Sequence, residues 1–330
     1  MAETSLPHRR THQLARTLRF DRAALEVLNA LTMQGIPALL LKGASFRQWL
    51  YPHEGRLYGD VDILVPQAQW DQAIQTVECL GFAPDRRGPT GGDWYRARDR
   101  IWLDLHYTLW GLRQPPAQVW KLLWEEREVM QLHGATVLAL NEQARLFHAV
   151  LHAIQTGNAK TKAADDLTRA VQVVPFERWE EAWALARGLQ AERRFAASLR
   201  LYTSGGGEVA DRLGVPRRVP FLECVHALER APASVGLTEL LEGNWYQRYT
   251  VLKRWVWPEH DLVCDLEQNK IPNVPVWVQR RTSRYLKFYL WRCCQVFFFL
   301  RTCPAALRLR RAPDRSGYRS IVSQPWRDDR

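Results

Sequence analysis

The sequence is poor in the features that mark secreted and membrane-spanning proteins. Its six cysteines form no CxxC pair and no regular spacing, which excludes a disulfide framework and favours reduced thiols in a cytoplasmic protein. Residues 1–20 lack an apolar run after their basic positions, so we expect no secretory signal. The most apolar stretch, 285–300, contains Lys287 and Arg292 and is shorter than the roughly 20 apolar residues that span a bilayer.

The chain also lacks an excess of either charge outside its C-terminal end. Its net charge is +11, but residues 279–330 contain 13 Lys and Arg against three acids. The other 278 residues carry 33 basic and 32 acidic side chains and are close to neutral. Any binding of a polyanion must therefore depend on this basic, aromatic-rich tail.

Short β-branched runs alternate with helical spacing in the first 110 residues, and the later pattern is mostly helical. A composition of 46% hydrophobic residues is enough for an ordinary core. We interpret 85–93 as a loop, 133–140 as a hairpin and 204–208 as a linker. The pattern predicts helices at 12–34, 44–51 and 67–82, strands at 38–41 and 60–66, and a hairpin at 93–110. This order predicts an α/β (α+β) domain followed by a helical remainder.

Two carboxylates stand in an otherwise β-branched stretch, "GDVDILV" at 59–65. On a strand, Asp60 and Asp62 would face the same side with Cα atoms about 6.6 Å apart. Asp104, in "IWLDLHYTLW", repeats the feature on a second predicted strand. The three acids suit a pair of divalent ions about 4 Å apart, and oxygen ligands favour Mg²⁺ or Mn²⁺. The alternative is the surface turn or helix cap that an isolated DxD usually forms.

These motifs resemble the nucleotidyltransferase superfamily, and more narrowly a bacterial nucleotidyltransferase-like family. The narrower signature is LKG, then R-x(3)-DxDxLV, then a D-x-H strand, and it is carried here by residues 41–43, 56–65 and 104–106. The resemblance covers about 14–109 and extends to the helical stretch at 141–171. It implies a mixed sheet with flanking helices, followed by a mainly helical C-terminal region. The domains we expect are 1–140 (catalytic), 141–278 (helical, completing the cleft) and 279–330 (the tail).

The resemblance implies an Mg²⁺- or Mn²⁺-dependent enzyme that moves an NMP group from an NTP to an acceptor, with release of pyrophosphate. The acceptor would offer a hydroxyl or phosphate on a small molecule, sugar or peptide. Asp60 and Asp62 would ligate both metal ions, and Asp104 would ligate the second, near the acceptor. The nucleotide-binding candidates that the resemblance adds are Lys42, Gly43, Ser45 and Arg56.

Three histidines are further candidates for substrate contacts. His106 would share a face with Asp104, where it could orient the carboxylate or assist proton transfer, and a purely structural role is equally open. His148 and His152 are four residues apart on an expected helix, a spacing that can bind metal. No further ligand is evident beside them, so we favour a structural or substrate-pocket role. Asp165 and Asp166 have the pattern of a solvated helix start, and the resemblance leaves a role in closing the active-site cleft open.

The tail, 279–330, interleaves cations with aromatic residues. This pattern is compatible with a helix packed on the body, with peripheral contact at the inner membrane face, or with a polyanion, of which nucleic acid is the least expected. The tail therefore supports an alternative function, that of a non-catalytic binding or scaffold protein with the same fold.

Overall fold

The computed structural model describes residues 6–53, 55–88, 90–155, 161–227 and 284–311, with single positions at 240, 249, 252 and 253. The chain divides into two compact units. Residues 1–155 with 165–195 form the first unit, and residues 156–164 with 196–330 form the second.

The strands of the first unit form one mixed sheet, of seven strands within the described residues. They are β1 (Leu39–Leu40), β2 (Val61–Leu64), β3 (Ala83–Gly88), β4 (Gly91–Arg96), β5 (Ile101–His106), β6 (Arg127–Leu132) and β7 (Ala135–Leu140). Their order across the sheet is β3-β4-β5-β2-β1-β7-β6. The central strand, β2, runs parallel to β5 and antiparallel to β1. The α/β (α+β) prediction is confirmed.

Helices follow and precede these strands along the described chain. The helices of the first unit are α1 (Leu6–Met33), α2 (Ala44–Leu50), α3 (Trp70–Cys79), α4 (Pro116–Glu125), α5 (Glu142–Gln155) and α7 (Phe176–Gly188). The helices α6 (Lys162–Val173) and α8 (Glu192–Tyr202) continue from one unit into the other, and the second unit holds α9 (Gly206–Arg212), α10 (Phe221–Ala227) and α11 (Arg284–Arg311). Among the described residues, no helix is long and apolar enough to cross a membrane.

One face of the sheet is covered by α1 and α3, and the alternation of side chains follows from this. In β5, Ile101, Leu103 and Leu105 are fully buried in the core that contains both helices. The residues between them, Asp104 among them, are half-buried or exposed. Burial of one face thus fixes which residues of β2 and β5 turn toward the other, where the polar side chains gather.

Two local expectations were wrong. Residues 85–93 belong largely to β3 and β4 rather than to a loop. Because every residue of β3 is exposed, this edge strand has no apolar alternation that would reveal it in the sequence. The stretch 204–208 is not a linker, since α9 begins within it after Gly205, which adopts a left-handed conformation. The predicted hairpin at 133–140 is present and begins earlier, at Arg127.

Trp94 tests how much the core beneath this sheet contributes to stability. It is fully buried in β4 and meets Trp70 edge-on, with ring centroids 5.8 Å apart. We expect Trp94→Ala to lower the free energy of unfolding by about 3–5 kcal/mol, because truncation removes apolar contacts and leaves a cavity. Trp102→Ala is the control, since Trp102 on β5 is 39% exposed. Equal shifts of the two urea midpoints would contradict this description of the core.

Candidate functional site

The sheet register aligns three carboxylates on neighbouring strands. Asp62 on β2 lies directly opposite Asp104 on β5, and Asp93 on β4 lies opposite Asp104 from the other side. Residues paired in this way share one face of a sheet. The result is a row of acids on the face away from α1 and α3, entirely within the first unit.

Asp62 and Asp104 form a compact group with His106 at the end of β5. Their ligand atoms all lie within 4.8 Å of one another, and His106 Nε2 is 3.7 Å from Asp62 Oδ1. Asp60 stands just before β2 and is not in this group. It remains close enough that the negative charge of Asp62, together with burial, raises the pKa of Asp60.

A buried ion pair neutralises the central acid. Lys42, two residues after the end of β1, places Nζ 2.6 Å from Asp62 Oδ1, and the Asp62 side chain is only 1% exposed. Burial alone would raise the pKa of Asp62, but the Lys42 ammonium and the imidazole of His106 together outweigh it and hold this pKa below the ordinary value. Burial and the charge of Asp62 raise the pKa of Asp104 to about 8.

Helix α5 brings two neutral histidines to the other side of Lys42. His152 Nε2 lies 3.4 Å from Lys42 Nζ, and an ammonium can only donate, so this ring nitrogen is the acceptor. Burial and the nearby charge of Lys42 lower the pKa of His148 to about 3 and that of His152 well below 6.5. Both imidazoles are therefore uncharged at neutral pH.

Arg56 is held beside the acids by a residue that lies 110 positions away in sequence. Its Nε and Nη2 donate to the two carboxylate oxygens of Asp166 at 2.8 and 2.6 Å, and the Tyr51 hydroxyl donates to Asp166 Oδ1 at 3.0 Å. The expectation of a solvated Asp166 was wrong, because it is 2% exposed, whereas Asp165 is exposed. The bidentate pair fixes the guanidinium plane.

The remaining predicted nucleotide contacts, Gly43 and Ser45, lie immediately before α2 and in its first turn. Gly43 has φ +60°, and a Cβ there would come within 3.3 Å of the Tyr58 ring, so both conformation and space favour glycine. Ser45 is fully buried, and its hydroxyl has no hydrogen-bond partner among the described residues. The structure thus gathers Lys42, Asp60, Asp62, Asp104, His106 and His152 and leaves Ser45 beneath the surface.

The donor set fits a divalent cation. Asp62 Oδ1 faces Lys42, while Oδ2 is buried without a hydrogen-bond partner among the described residues. A buried carboxylate oxygen without a donor is costly, and a cation shared with Asp104 and His106 would satisfy it. Two carboxylates among three ligands favour Mg²⁺ or Mn²⁺.

Asp60, Asp62 and Asp104 are the acids that the resemblance to nucleotidyltransferases singles out, and a family model matches the part of the chain that contains them. The chain belongs to the family described as uncharacterised nucleotidyltransferase, whose model matches residues 3–204. The resemblance inferred from the motifs is therefore confirmed.

Two solved structures are similar to this chain at a distance. The antibiotic-resistance factor ANT(2'')-Ia is 15% identical with a TM-score of 0.40, over 54% of this chain and 95% of that one. A tRNA-processing enzyme in an apo form is 14% identical with a TM-score of 0.25, over 92% and 91%. No curated protein matches the chain. Both likenesses are weak, so the family assignment rests on the sequence match.

Asp93 and Asp166 are the acids at this site whose positions the sequence interpretation missed. For Asp93 a signal was present, because the predicted hairpin at 93–110 places Asp93 on the strand beside Asp104, and the observed register pairs the two. For Asp166 the resemblance left a role at the cleft open, but two adjacent acids near the start of α6 also fit a solvated helix terminus.

Removing Lys42 should make stability depend on divalent cations. In Lys42→Gln the carboxylate of Asp62 stays buried without a counter-ion, a change that costs about 3–5 kcal/mol in comparable sites. We expect a lower melting temperature, restored in large part by Mg²⁺ or Mn²⁺ because the cation replaces the ammonium. Thermal unfolding with and without each cation measures this.

Arg47→Gln is the matched control for this experiment. Arg47 Nη2 pairs with the buried carboxylate of Asp21 at 2.8 Å, and Asp21 is not in the candidate ligand group. This variant should lose stability without gaining sensitivity to cations. An equal cation response in the two variants would refute the assignment of a cation site at Asp62.

The depressed pKa of His148 predicts a pH dependence of stability. The folded protein keeps this imidazole neutral down to about pH 3, whereas the unfolded chain takes up a proton near 6.5. His148 therefore leaves the free energy of unfolding unaffected above about pH 6.5. Below that pH it lowers this free energy toward pH 3, by up to about 1.4 kcal/mol per pH unit. In His148→Gln the urea midpoint should depend less on pH between pH 6.5 and 4 than in the wild type. In His53→Gln, at an exposed site, the pH dependence should be unchanged.

Proposed function

We propose that this chain is a nucleotidyltransferase that depends on Mg²⁺ or Mn²⁺. It would transfer an NMP group from an NTP to a hydroxyl or phosphate of a small-molecule, sugar or peptide acceptor and release pyrophosphate. The observation that carries the proposal is the direct pairing of Asp62 with Asp104 across β2 and β5 in a chain of this family.

Asp62, Asp104 and His106 are the residues that would hold a divalent cation, with Asp60 adjacent to them. A bound cation would neutralise these carboxylates and the charge on the phosphates. The preference of carboxylates for hard cations supports Mg²⁺ or Mn²⁺. A second ion, as in two-metal phosphoryl transfer, would require Asp60 to join the group.

The cationic side chains of the site suit the triphosphate. Lys42 and Arg56 stand beside the acids, and Arg56 is already oriented by its two hydrogen bonds to Asp166. Phosphoryl transfer depends chiefly on positioning and charge stabilisation, and a guanidinium that is fixed in advance loses little conformational freedom on binding. Gly43 and Ser45 remain proposed nucleotide contacts on the resemblance alone.

In the proposed transfer step, one bond to the α-phosphorus forms as another breaks, and a residue of this site takes the proton. The acceptor oxygen would form a bond to the α-phosphorus while the bond from that phosphorus to the bridging oxygen breaks, and the electron pair leaves on pyrophosphate. Asp104 would be held as a carboxylate by a bound cation, although its pKa is about 8 without one. The carboxylate would then take the proton of the acceptor hydroxyl. His106 would orient the acids, and the neutral His148 and His152 would line the substrate side of Lys42.

A second candidate function is a non-catalytic protein of the same fold that acts through the tail, 279–330, at a membrane surface or another polyanion. The net charge of +10 over these residues favours it. Deletion of the tail discriminates between the two. Retained NTP turnover would support the enzyme, whereas dispensable acids together with loss of function on deletion would support the scaffold.

The row of acids offers a graded test of the enzymatic proposal. We expect Asp62→Asn to abolish Mg²⁺-dependent NTP binding, and Asp104→Asn to keep much of that binding while lowering turnover by about 10²–10³-fold. Asp93→Asn is the control, because Asp93 lies one strand further and outside the ligand group, and it should keep most of the turnover.

Calorimetry with the four NTPs and Mg²⁺ measures binding, and mass spectrometry of acceptor pools incubated with NTP and Mn²⁺ detects adducts. Wild-type protein that binds no NTP, or binding that Asp62→Asn leaves intact, would refute the proposal.

A further inference from the structure

Helix α11 exposes an apolar stripe along one face. Its members recur at spacings of three, four and seven residues, which keeps them on one side of a helix. Its five large hydrophobic side chains are 38–61% exposed, and its cysteine is exposed as well. The stripe consists of Leu286, Tyr289, Cys293, Val296, Leu300 and Leu307.

The opposite face of α11 is the one that packs within its own unit. Phe288, Gln295, Thr302 and Ala306 are buried, and the helix contacts α10. Phe288 and Thr302 each lie two residues after a member of the stripe, which places them on the far side of the helix at about 100° per residue. The stripe is therefore a second apolar face, additional to the one that the described part of the unit buries.

The charge of the helix indicates what this face contacts. Residues 284–311 include seven Lys and Arg and no Asp or Glu. Arg308 is exposed beside Leu307, and Arg310 is half-exposed. Arg292 instead lies over the buried ring of Phe288 and donates to Gln295, so it belongs to the packed face. Pairing of two such helices from two copies would bring like charges together. An anionic surface instead satisfies the cations and the apolar stripe together.

We propose that the exposed face of α11 binds the surface of an anionic lipid bilayer. The helix would lie in the plane of the interface, with the stripe at the acyl boundary and Arg308 among the head groups. Such binding does not require a span, and no described helix is suited to one. The inference specifies the partner of the tail in the second candidate function. It does not depend on nucleotidyl transfer, because it rests only on α11.

Vesicle co-sedimentation with the full chain tests this inference. We expect binding to vesicles of equimolar phosphatidylglycerol and phosphatidylcholine, much weaker binding to phosphatidylcholine alone, and a decline with added salt. Leu300→Glu, in the middle of the stripe, should weaken binding by about tenfold or more, and Arg308→Glu should weaken it as well.

Matched substitutions away from α11 serve as controls. Met33, at the end of α1, is 85% exposed, and Arg187 is an exposed arginine on α7. Met33→Glu and Arg187→Glu change the charge by the same amounts and should bind vesicles as the wild type does. Circular dichroism and NTP binding by the same proteins separate a lost lipid contact from a lost fold or a lost activity.

Three outcomes would overturn the inference. They are absence of wild-type binding to anionic vesicles, equal binding to phosphatidylcholine alone, and undiminished binding of Leu300→Glu. If, instead, Leu300→Glu converts a dimer into a monomer without any lipid binding, the stripe belongs to an interface between two copies. Neither result would bear on the site at Asp62 and Asp104.

Discussion

The ion pair between Lys42 and Asp62 is the interaction on which the candidate site depends. A carboxylate in the middle of a sheet and almost without solvent stays charged only beside a cation. The antiparallel pairing of β1 with β2 supplies that cation from the end of the neighbouring strand. Because Asp62 is charged and fixed, its negative charge adds to burial and raises the pKa of Asp104, which becomes hard to ionise. A neutral His152 beside the ammonium avoids adding a second positive charge.

Buried ion pairs also join helices of the first unit to other segments. Asp166 on α6 is buried against Arg56, and Asp21 on α1 is buried against Arg47 of α2, with His133 Nε2 2.7 Å from the same carboxylate. Each pair joins segments far apart in sequence. Breaking one partner of such a pair is more costly than losing a surface contact, because the other charge remains buried. The first unit is thus organised by buried charge as well as by its apolar core.

The sheet and the placement of its acids could largely be predicted, because alternation along β2 and β5 is visible in the residue types. Asp62 and Asp104 follow directly from it, and Asp93 could have been found by extending the predicted hairpin. The ion pair of Asp62 with Lys42 could not, since the predicted strand at 38–41 ends just before Lys42 but nothing local indicates that this strand lies beside β2. Asp166 was missed for a related reason, because its charge has an adequate local explanation. Exposed β3 carries no pattern at all, since its hydrogen bonds to β4 are made by the backbone.

The direct pairing of Asp62 with Asp104 limits how this sequence can change in length. A single residue inserted or deleted within β2 or β5 would turn one acid into the apolar core and present a leucine or valine in its place. Connections outside the strands carry no such restriction, because a longer loop adds little entropic cost. Chains that keep this site should therefore differ in length between their strands and keep the strands themselves uninterrupted. An insertion within β2 or β5 of a related sequence would therefore indicate that the pairing of the two acids has been lost.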